Sequence, residues 1–381
     1  MKSLRHGFVL LALSAASVAC SDDDESPSDS SPDPISRESI ARVEALADEA
    51  IAAGIPGVSI AAIVDQQTVT ITRGVANRET AEPLSPEHRA RMASIAKSVV
   101  SSVVLQLADE GALSLDDTVD SWLPGALPAN GDATIEQLLR LVSGIYDFGS
   151  DPRLMAPYVE GDFEYAWRPE QLVALAAEHP PNFRPGERFE YSNTNYTLLA
   201  LIIEKITGDS LADVVRARIT DPLALTSSTM ATTSHLDAPY ADGYLVGLAE
   251  QPVNATRISA SSVFGNGNLV STPLDVARFY RALARGEVVN EAQLPAMFTV
   301  DPQGPESRYA MGLWRLDDFY PCGSFIGHDG NTPGYDSVGY ASLDGKRAFS
   351  VVVTSSSLDD KAGDEVAHAA WVKLALAVGC M

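Results

Sequence analysis

Apolar residues at Ile40, Val43, Leu46, Ala47, Ala50 and Ile51 recur at helical spacing between Ser36 and Gly54, where the glycine supplies a stop. Val58–Val64, the turn Asp65-Gln66-Gln67 and Val69–Thr72 then read as a β-hairpin. The other end of the chain repeats the theme. Ser337–Ser342, Asp344-Gly345 and Ala348–Thr354 predict a second hairpin, whose Asp-Gly pair suits a turn needing positive φ. A last helix is expected over about Lys361–Val378. Between these ends, roughly 94–284, the pattern is mostly helical and is broken by loops such as Pro180-Pro181 and Pro185-Gly186. The economical arrangement is an α+β fold: one antiparallel sheet built from both chain ends, flanked by the terminal helices, beside an all-helical lobe. The α/β lobe is expected at about 36–93 and 285–381, with the helical lobe at 94–284.

The first 35 residues follow neither pattern. Lys2 and Arg5 precede a short apolar run from Phe8 to Ala16, and Ser17-Val18-Ala19 leads into Cys20. The run is too short to span about 30 Å of hydrocarbon, so 1–19 reads as an export signal rather than a membrane helix. The segment resembles a bacterial lipoprotein signal, which implies that Cys20 is acylated and becomes the mature N-terminus. It departs at Ser17, where that signal usually has Leu. Residues 20–35 are almost entirely Ser, Asp, Glu and Pro, a composition that buries no surface and reads as a flexible stalk.

Charge alters the picture in two ways. The chain carries 51 acidic and 27 basic residues, for a formal net charge of −24, and the part from residue 36 onward holds −20 of it. No basic tract exists, which argues against nucleic acid as a partner. Only six of the basic residues are lysines, so a lysine in an apolar stretch asks for a reason. The cysteines are Cys20, Cys322 and Cys380. With Cys20 lipidated, the other two form an even pair in an exported setting, and a Cys322–Cys380 bridge is expected to tie the last helix to a strand region. Two unrelated thiols are the alternative, and so few cysteines make a metal site unexpected.

Three constellations carry candidate chemistry. Ser94-Ile95-Ala96-Lys97 opens a helix running to Gly111, with Ser94 and Lys97 on one face. A serine there meets the positive end of the helix dipole, and a desolvated lysine can accept or help remove its proton. The same four residues also read as a capping serine and a snorkelling lysine. Tyr191-Ser192-Asn193 precedes a helix over about Thr194–Ile206. It suits a tyrosine base, favoured as phenolate by a nearby cation, and an amide that holds a substrate carbonyl. It equally suits a buried tyrosine and a helix-capping asparagine. Gly327-His328-Asp329-Gly330 suggests backbone in close approach to a ligand, or else a surface loop histidine.

Taken together and in that order, the three resemble the penicillin-recognising serine hydrolases: class C β-lactamases, D-alanyl-D-alanine carboxypeptidases and related esterases. The likeness runs over about 36–381 and includes Glu110-Gly111-Ala112-Leu113-Ser114-Leu115-Asp116-Asp117 and Leu269-Val270-Ser271-Thr272-Pro273-Leu274-Asp275. The class A companions S-D-N and K-T-G are absent from the chain. The resemblance implies a β-lactamase/transpeptidase-like fold with Ser94 as the acylated nucleophile, Lys97 lowering its pKa and Tyr191 shuttling the proton. It implies Asn193 on the substrate amide and His328 where a β-lactamase usually has lysine. The oxyanion hole would be the N–H groups of Ser94 and of a residue just after Gly330, such as Asn331. Arg315 stands where carboxypeptidase-like members bind a substrate carboxylate, a task that suits bidentate arginine. Some members also have a cysteine pair near Cys322 and Cys380.

Asp329 stands where the family usually has Thr and repels a substrate carboxylate unless Arg315 offsets it. Asn331 replaces a frequent Thr, and Leu141-Val142-Ser143-Gly144 stands for a usual His-Thr-Ser-Gly. The expectation is an exported, lipid-anchored monomer, without cofactor or metal, acting on a small-molecule or peptide substrate as a carboxypeptidase-like enzyme. An esterase, a β-lactamase and a non-catalytic binder of cell-wall peptides are the alternatives. The absence of G-x-S-x-G and His-Glu-x-x-His disfavours an α/β-hydrolase and a zinc protease.

Overall fold

The computed structural model describes residues 35–246, 251–300, 308–320, 322–357 and 364–381. The expected export signal, Cys20 and nearly all of the stalk lie outside the described residues, as does the expected start of the last helix at Lys361. The chain runs through α1 (Arg37–Ala52), β1 (Gly57–Val64), β2 (Gln67–Asn77), β3 (Glu82–Pro83), β4 (Ala90–Ala93) and α2 (Ala96–Asp109). The short helices α3 (Val119–Trp122), α4 (Ile135–Leu139), α5 (Ala156–Val159) and α6 (Pro169–Ala177) lead to α7 (Asn193–Thr207) and α8 (Leu211–Val215). Four small strands follow: β5 (Thr229–Met230), β6 (Tyr244–Val246), β7 (Val253–Asn254) and β8 (Leu269–Ser271). After α9 (Pro273–Ala284) and α10 (Leu294–Phe298) come β9 (Trp314–Tyr320), β10 (Gly323–Thr332), β11 (Tyr335–Ser342), β12 (Arg347–Val353), β13 (Ser355–Ser357) and α11 (Asp364–Gly379).

The main sheet is antiparallel, in the order β3-β2-β1-β12-β11-β10-β9, so both chain ends build it as the pattern of apolar residues implied. Strand β1 joins the halves, pairing Ile60 with Ile71 of β2 and with Val351 of β12. Both expected hairpins form. In the second, Gly345 supplies the positive φ of +63° while Asp344 instead accepts hydrogen bonds from the Ser342 hydroxyl and the Lys346 N–H. Alternation along the strands sorts side chains between two cores. Val58, Ile60, Val351 and Val353 pack with Val43, Ala47 and Leu374 of α1 and α11. Ile63 and Val352 face the opposite layer with Val276 and Tyr280. Those last two belong to α9, which packs on β12, β11 and β1 although it falls in the range expected to be helical lobe. Helix α9 is well specified locally: Thr272 caps it through the Asp275 N–H, Pro273 occupies its first turn, and Val276, Tyr280 and Leu283 form its buried face.

The sequence pattern did not reveal β9 and β10 as a strand pair. Strand β10 reads Gly-Ser-Phe-Ile-Gly-His-Asp-Gly-Asn-Thr, with too many glycines and polar residues for a period of two to stand out. Its pairing with β9 stops at Gly327↔Trp314, so Asp329–Thr332 keep one edge that β9 does not cover. The Cys322–Cys380 disulfide is present, with Cα atoms 5.5 Å apart, and joins β9 and β10's end of the sheet to the terminus of α11. Among the described residues no helix is long and apolar enough to cross a membrane.

Candidate active site

Helix α2 is buried on nearly every side, from Ala96 to Leu107. It starts just after a strained turn: Ala93, a non-glycine residue, has φ of +46°. Two contacts hold that turn. The Ser337 hydroxyl of β11 donates to the Met92 carbonyl at 3.0 Å. Gly330 of β10 lies so close that a Cβ there would sit 2.3 Å from the same carbonyl oxygen and 3.1 Å from the Ala93 Cβ. Glycine at 330 is therefore a packing requirement against the nucleophile turn, whereas the sequence reading expected the close approach to be to a ligand. Ser94 emerges from the turn half-buried, with its carbonyl receiving the Lys97 N–H at 3.0 Å.

Lys97 has no exposed surface. Its Nζ lies 3.0 Å from Ser94 Oγ, 2.8 Å from Asn193 Oδ1 and 2.8 Å from the Asn266 carbonyl oxygen. Burial brings its pKa down to about 7, while Asp147 and then Asp329 oppose the fall. The geometry suits a neutral amine. Two of the three partners are pure acceptors and take the two N–H groups, which leaves the nitrogen lone pair directed at the Ser94 hydroxyl. The snorkelling alternative is excluded by the complete burial, and the helix begins at Ala96 without a side-chain cap from Ser94.

Tyr191 is half-buried beside this pair. Its hydroxyl hydrogen-bonds with Ser94, and Lys97 Nζ lies 4.8 Å from the centre of its ring. Desolvation pushes the phenol well above its ordinary pKa, so it stands here as a protonated phenol, in contrast to the expected phenolate. The cation expected to favour the phenolate is Lys97, whose own charge burial weakens by bringing its pKa to about 7. Asn193 opens α7. Its Oδ1 faces Lys97, and its Nδ2 and backbone N–H donate to Asp147 at 3.2 and 3.0 Å. The amide thus orients Lys97 through its oxygen, and Asp147 takes one of the two hydrogens on Nδ2.

Sequence reasoning missed Asp147 and Asn266. Asp147 follows the Leu141-Val142-Ser143-Gly144 stretch and also accepts the Gly149 N–H at 3.0 Å; burial raises its pKa. Asn266 serves through its backbone carbonyl, which no side-chain motif can report. Its side chain pins the loop by donating to Thr197 Oγ1 and the Phe264 carbonyl.

His328 is 1% exposed and so is not a surface loop histidine. Nδ1 faces the Asp329 carbonyl oxygen, and Nε2 is 3.3 Å from the Tyr309 hydroxyl, which lies 3.4 Å from the Tyr196 hydroxyl. Its ring packs among Tyr191, Tyr309 and Trp314, with Phe189 beside the last two. Asn331 is exposed and its amide donates to Asp336 at 2.5 Å. Arg315 is not drawn into the cluster. Its Nε donates to Asp317 at 2.9 Å, and Nη1 donates to the Phe298 carbonyl at 3.4 Å.

A serine, a near-neutral amine, a protonated phenol and a glycine-permitted backbone approach form the elements of an acyl-transfer centre. Residues 43–371 match the family described as Beta-lactamase. The chain belongs to that family. It is similar to penicillin-binding protein 4* of Bacillus subtilis (strain 168), with 27% identity over 292 residues that cover 72% of this chain and 63% of that protein. The chain thus spans less than two thirds of the length of such curated relatives. Among solved structures it is similar to a D-stereospecific amidohydrolase from Streptomyces sp., at 32% identity and a TM-score of 0.76, covering 87% of this chain and 98% of that one. It is also similar to the D-amino acid amidase of Ochrobactrum anthropi SV3 complexed with L-phenylalanine amide, at 25% identity and a TM-score of 0.78, covering 90% and 98%. The chain has the β-lactamase/transpeptidase-like fold of that family, to which penicillin-binding proteins are also similar.

Proposed function

We propose that the protein hydrolyses amide or ester acyl donors through an acyl-Ser94 intermediate. One observation carries this reading: Lys97, buried and held by two acceptors, presents its remaining valence to Ser94 Oγ at 3.0 Å. As Ser94 Oγ bonds to the carbonyl carbon, its proton passes to Lys97 Nζ. The oxyanion is received by the N–H groups of Ser94 and Asn331. Collapse breaks the bond to the leaving group, which takes the proton from Lys97 by way of the Tyr191 hydroxyl. Water then attacks the acyl-enzyme by the same route in reverse and frees the acid. His328 and its aromatic neighbours wall the site.

The carboxypeptidase-like version of this reaction needs a group that binds a substrate carboxylate, and Arg315 has to exchange its exposed pairing with Asp317 to serve as one. The likeness to two amide-cleaving enzymes supports an amide acyl donor instead. The setting we propose is the cell envelope, with export through 1–19, a lipid on Cys20 and a monomeric catalytic domain at 36–381. The experiment is turnover by wild-type and Ser94→Ala protein of a short-chain nitrophenyl ester, an amino-acid amide in both configurations, a D-Ala-D-Ala peptide and a cephalosporin. Ser94→Ala is expected to abolish every activity the wild type shows. Full activity in that variant sinks the mechanism.

A further inference from the structure

Arg278 and Arg281 of α9 and Arg285 at its C-cap follow one another at spacings of three and four residues, which sets them along one helical face. With Leu223, Ala282 and Glu287 they line a cavity of about 180 Å³. Arg281 Nη2 donates to the Asp65 carbonyl at 2.6 Å and Arg285 Nε to the Gly345 carbonyl at 3.0 Å, so both side chains reach the hairpin turns after β1 and β11. Strand β11 runs to its turn from Ser337, the partner of Gly330, so the cavity lies toward the other end of the sheet from the nucleophile turn.

The guanidinium groups keep donors to offer. Arg278 is half-exposed, and its Nη1 lies 3.5 Å from Asp275 Oδ1, long for an N–H···O bond. Arg281 Nε is buried and has no hydrogen-bond partner among the described residues. Burial and then the charge of Arg285 hold the Arg281 guanidinium below its ordinary pKa, with Glu287 and Asp65 opposing. Like charges around one hollow repel each other, a cost that an anion in the hollow removes. The hollow is well below the roughly 300 Å³ at which pockets for drug-sized ligands begin, so it suits one small group. A phosphate group offers oxygens in several directions to fork-shaped donors and carries about −1.5 to −2 charge at neutral pH, which matches three arginines and one glutamate. A carboxylate, with a single charge and a planar pair of oxygens, matches them less well.

We infer that this cavity binds a phosphate group, free or on the head of an anionic lipid, with Arg278, Arg281 and Arg285 as its ligands. The site is separate from Ser94, and the inference stands or falls independently of the acyl-Ser94 reading.

The test is calorimetric titration of the full chain with inorganic phosphate, beside acetate and chloride at matched ionic strength. Phosphate is expected to bind saturably with a Kd of about 1 mM, and acetate and chloride to give no saturable heat. Arg278→Gln removes a half-exposed guanidinium and should weaken phosphate about tenfold, while Glu287→Gln removes the opposing charge and should tighten it about threefold. Tighter binding in the second variant cannot come from misfolding. Vesicles distinguish the two sources, using protein that carries Cys20→Ser so that no acyl chain holds it to lipid. Co-sedimentation with phosphatidylglycerol vesicles but not phosphatidylcholine vesicles, reduced in Arg278→Gln, assigns the site to a lipid head. Phosphate binding without co-sedimentation assigns it to the free ion. Binding of neither phosphate nor phosphatidylglycerol vesicles, or binding that both variants leave unchanged, overturns the inference.

Discussion

Lys97 on α2 and Asp329 on β10 are charged residue types that act on the same serine site, and the fold treats them in opposite ways. Lys97 has no exposed surface, makes three polar contacts at 2.8–3.0 Å and is brought to a pKa of about 7 by desolvation. Asp329 is 31% exposed, and its buried Oδ1 accepts no hydrogen bond among the described residues. Enclosure turns the first into a base poised near neutral pH; the second stays partly open to solvent. The support around each differs accordingly. Behind Lys97 stand Asn193, Asp147 and the Asn266 loop, each fixed by further hydrogen bonds. Beside Asp329 stands Gly330, which holds the strand against the nucleophile turn.

Removing the buried amine should have the largest effect. Lys97→Met is expected to lower kcat/KM for a nitrophenyl ester by roughly a thousandfold or more, since Ser94 loses its base. Melting temperature should stay equal or rise, because a desolvated amine is replaced by an apolar chain of similar length. The same variant carries a signature in stability. The folded state holds Lys97 at about 7 against an ordinary 10.5, so between those values the unfolded chain binds the extra proton. Wild-type stability therefore gains a contribution as pH rises from about 7 towards 10.5, and urea titrations of Lys97→Met should lack it.

Next in size is a change on the β10 side that leaves every charge in place. Gly330→Ala puts a Cβ 2.3 Å from the Met92 carbonyl oxygen and must push the strand from the nucleophile turn. Activity is expected to fall roughly a hundredfold, together with the melting temperature. A variant that keeps full activity would show that the approach of β10 does not set the site.

Asp147→Asn is the subtlest. Loss of an acceptor for the Asn193 amide should reduce kcat by roughly tenfold. Asp147 favours the charged form of Lys97, so its neutralisation should move the acid limb of the kcat/KM profile, near pH 7 in the wild type, to lower pH. A merely structural role would reduce the rate without moving the limb. Asp329→Asn should move it the same way by a smaller amount, because Asp329 bears less strongly on Lys97.

The difference between the two residues also explains what was legible in the chain. Scarcity of lysine and the S-x-x-K spacing exposed Lys97, and helical or alternating apolar spacing exposed α1, β1, β2, β11, β12 and α11. Those signals come from residue types repeated at fixed intervals. Strand β10 carries no such repeat, because its glycines are dictated by what lies against it, such as Met92 and Gly339. Asn266 was hidden because only its carbonyl is used, and Asp147 because it acts through Asn193 from a bland loop. Arg315 shows the converse: the resemblance gave it a role, yet a carboxylate two residues along the same strand occupies it.

The central claim is that a Lys97 amine with a pKa near 7 activates Ser94. A p-nitrophenyl alkylphosphonate tests it directly, since attack by Ser94 Oγ on phosphorus releases nitrophenolate and leaves a stable adduct. Labelling rates from pH 5 to 9, read with peptide mass mapping, are expected to place one phosphonyl group on Ser94 and to rise through a midpoint near pH 7, with no such rise in Lys97→Met. An adduct on another residue, or a Ser94 rate without an ionisation in that range, would contradict it.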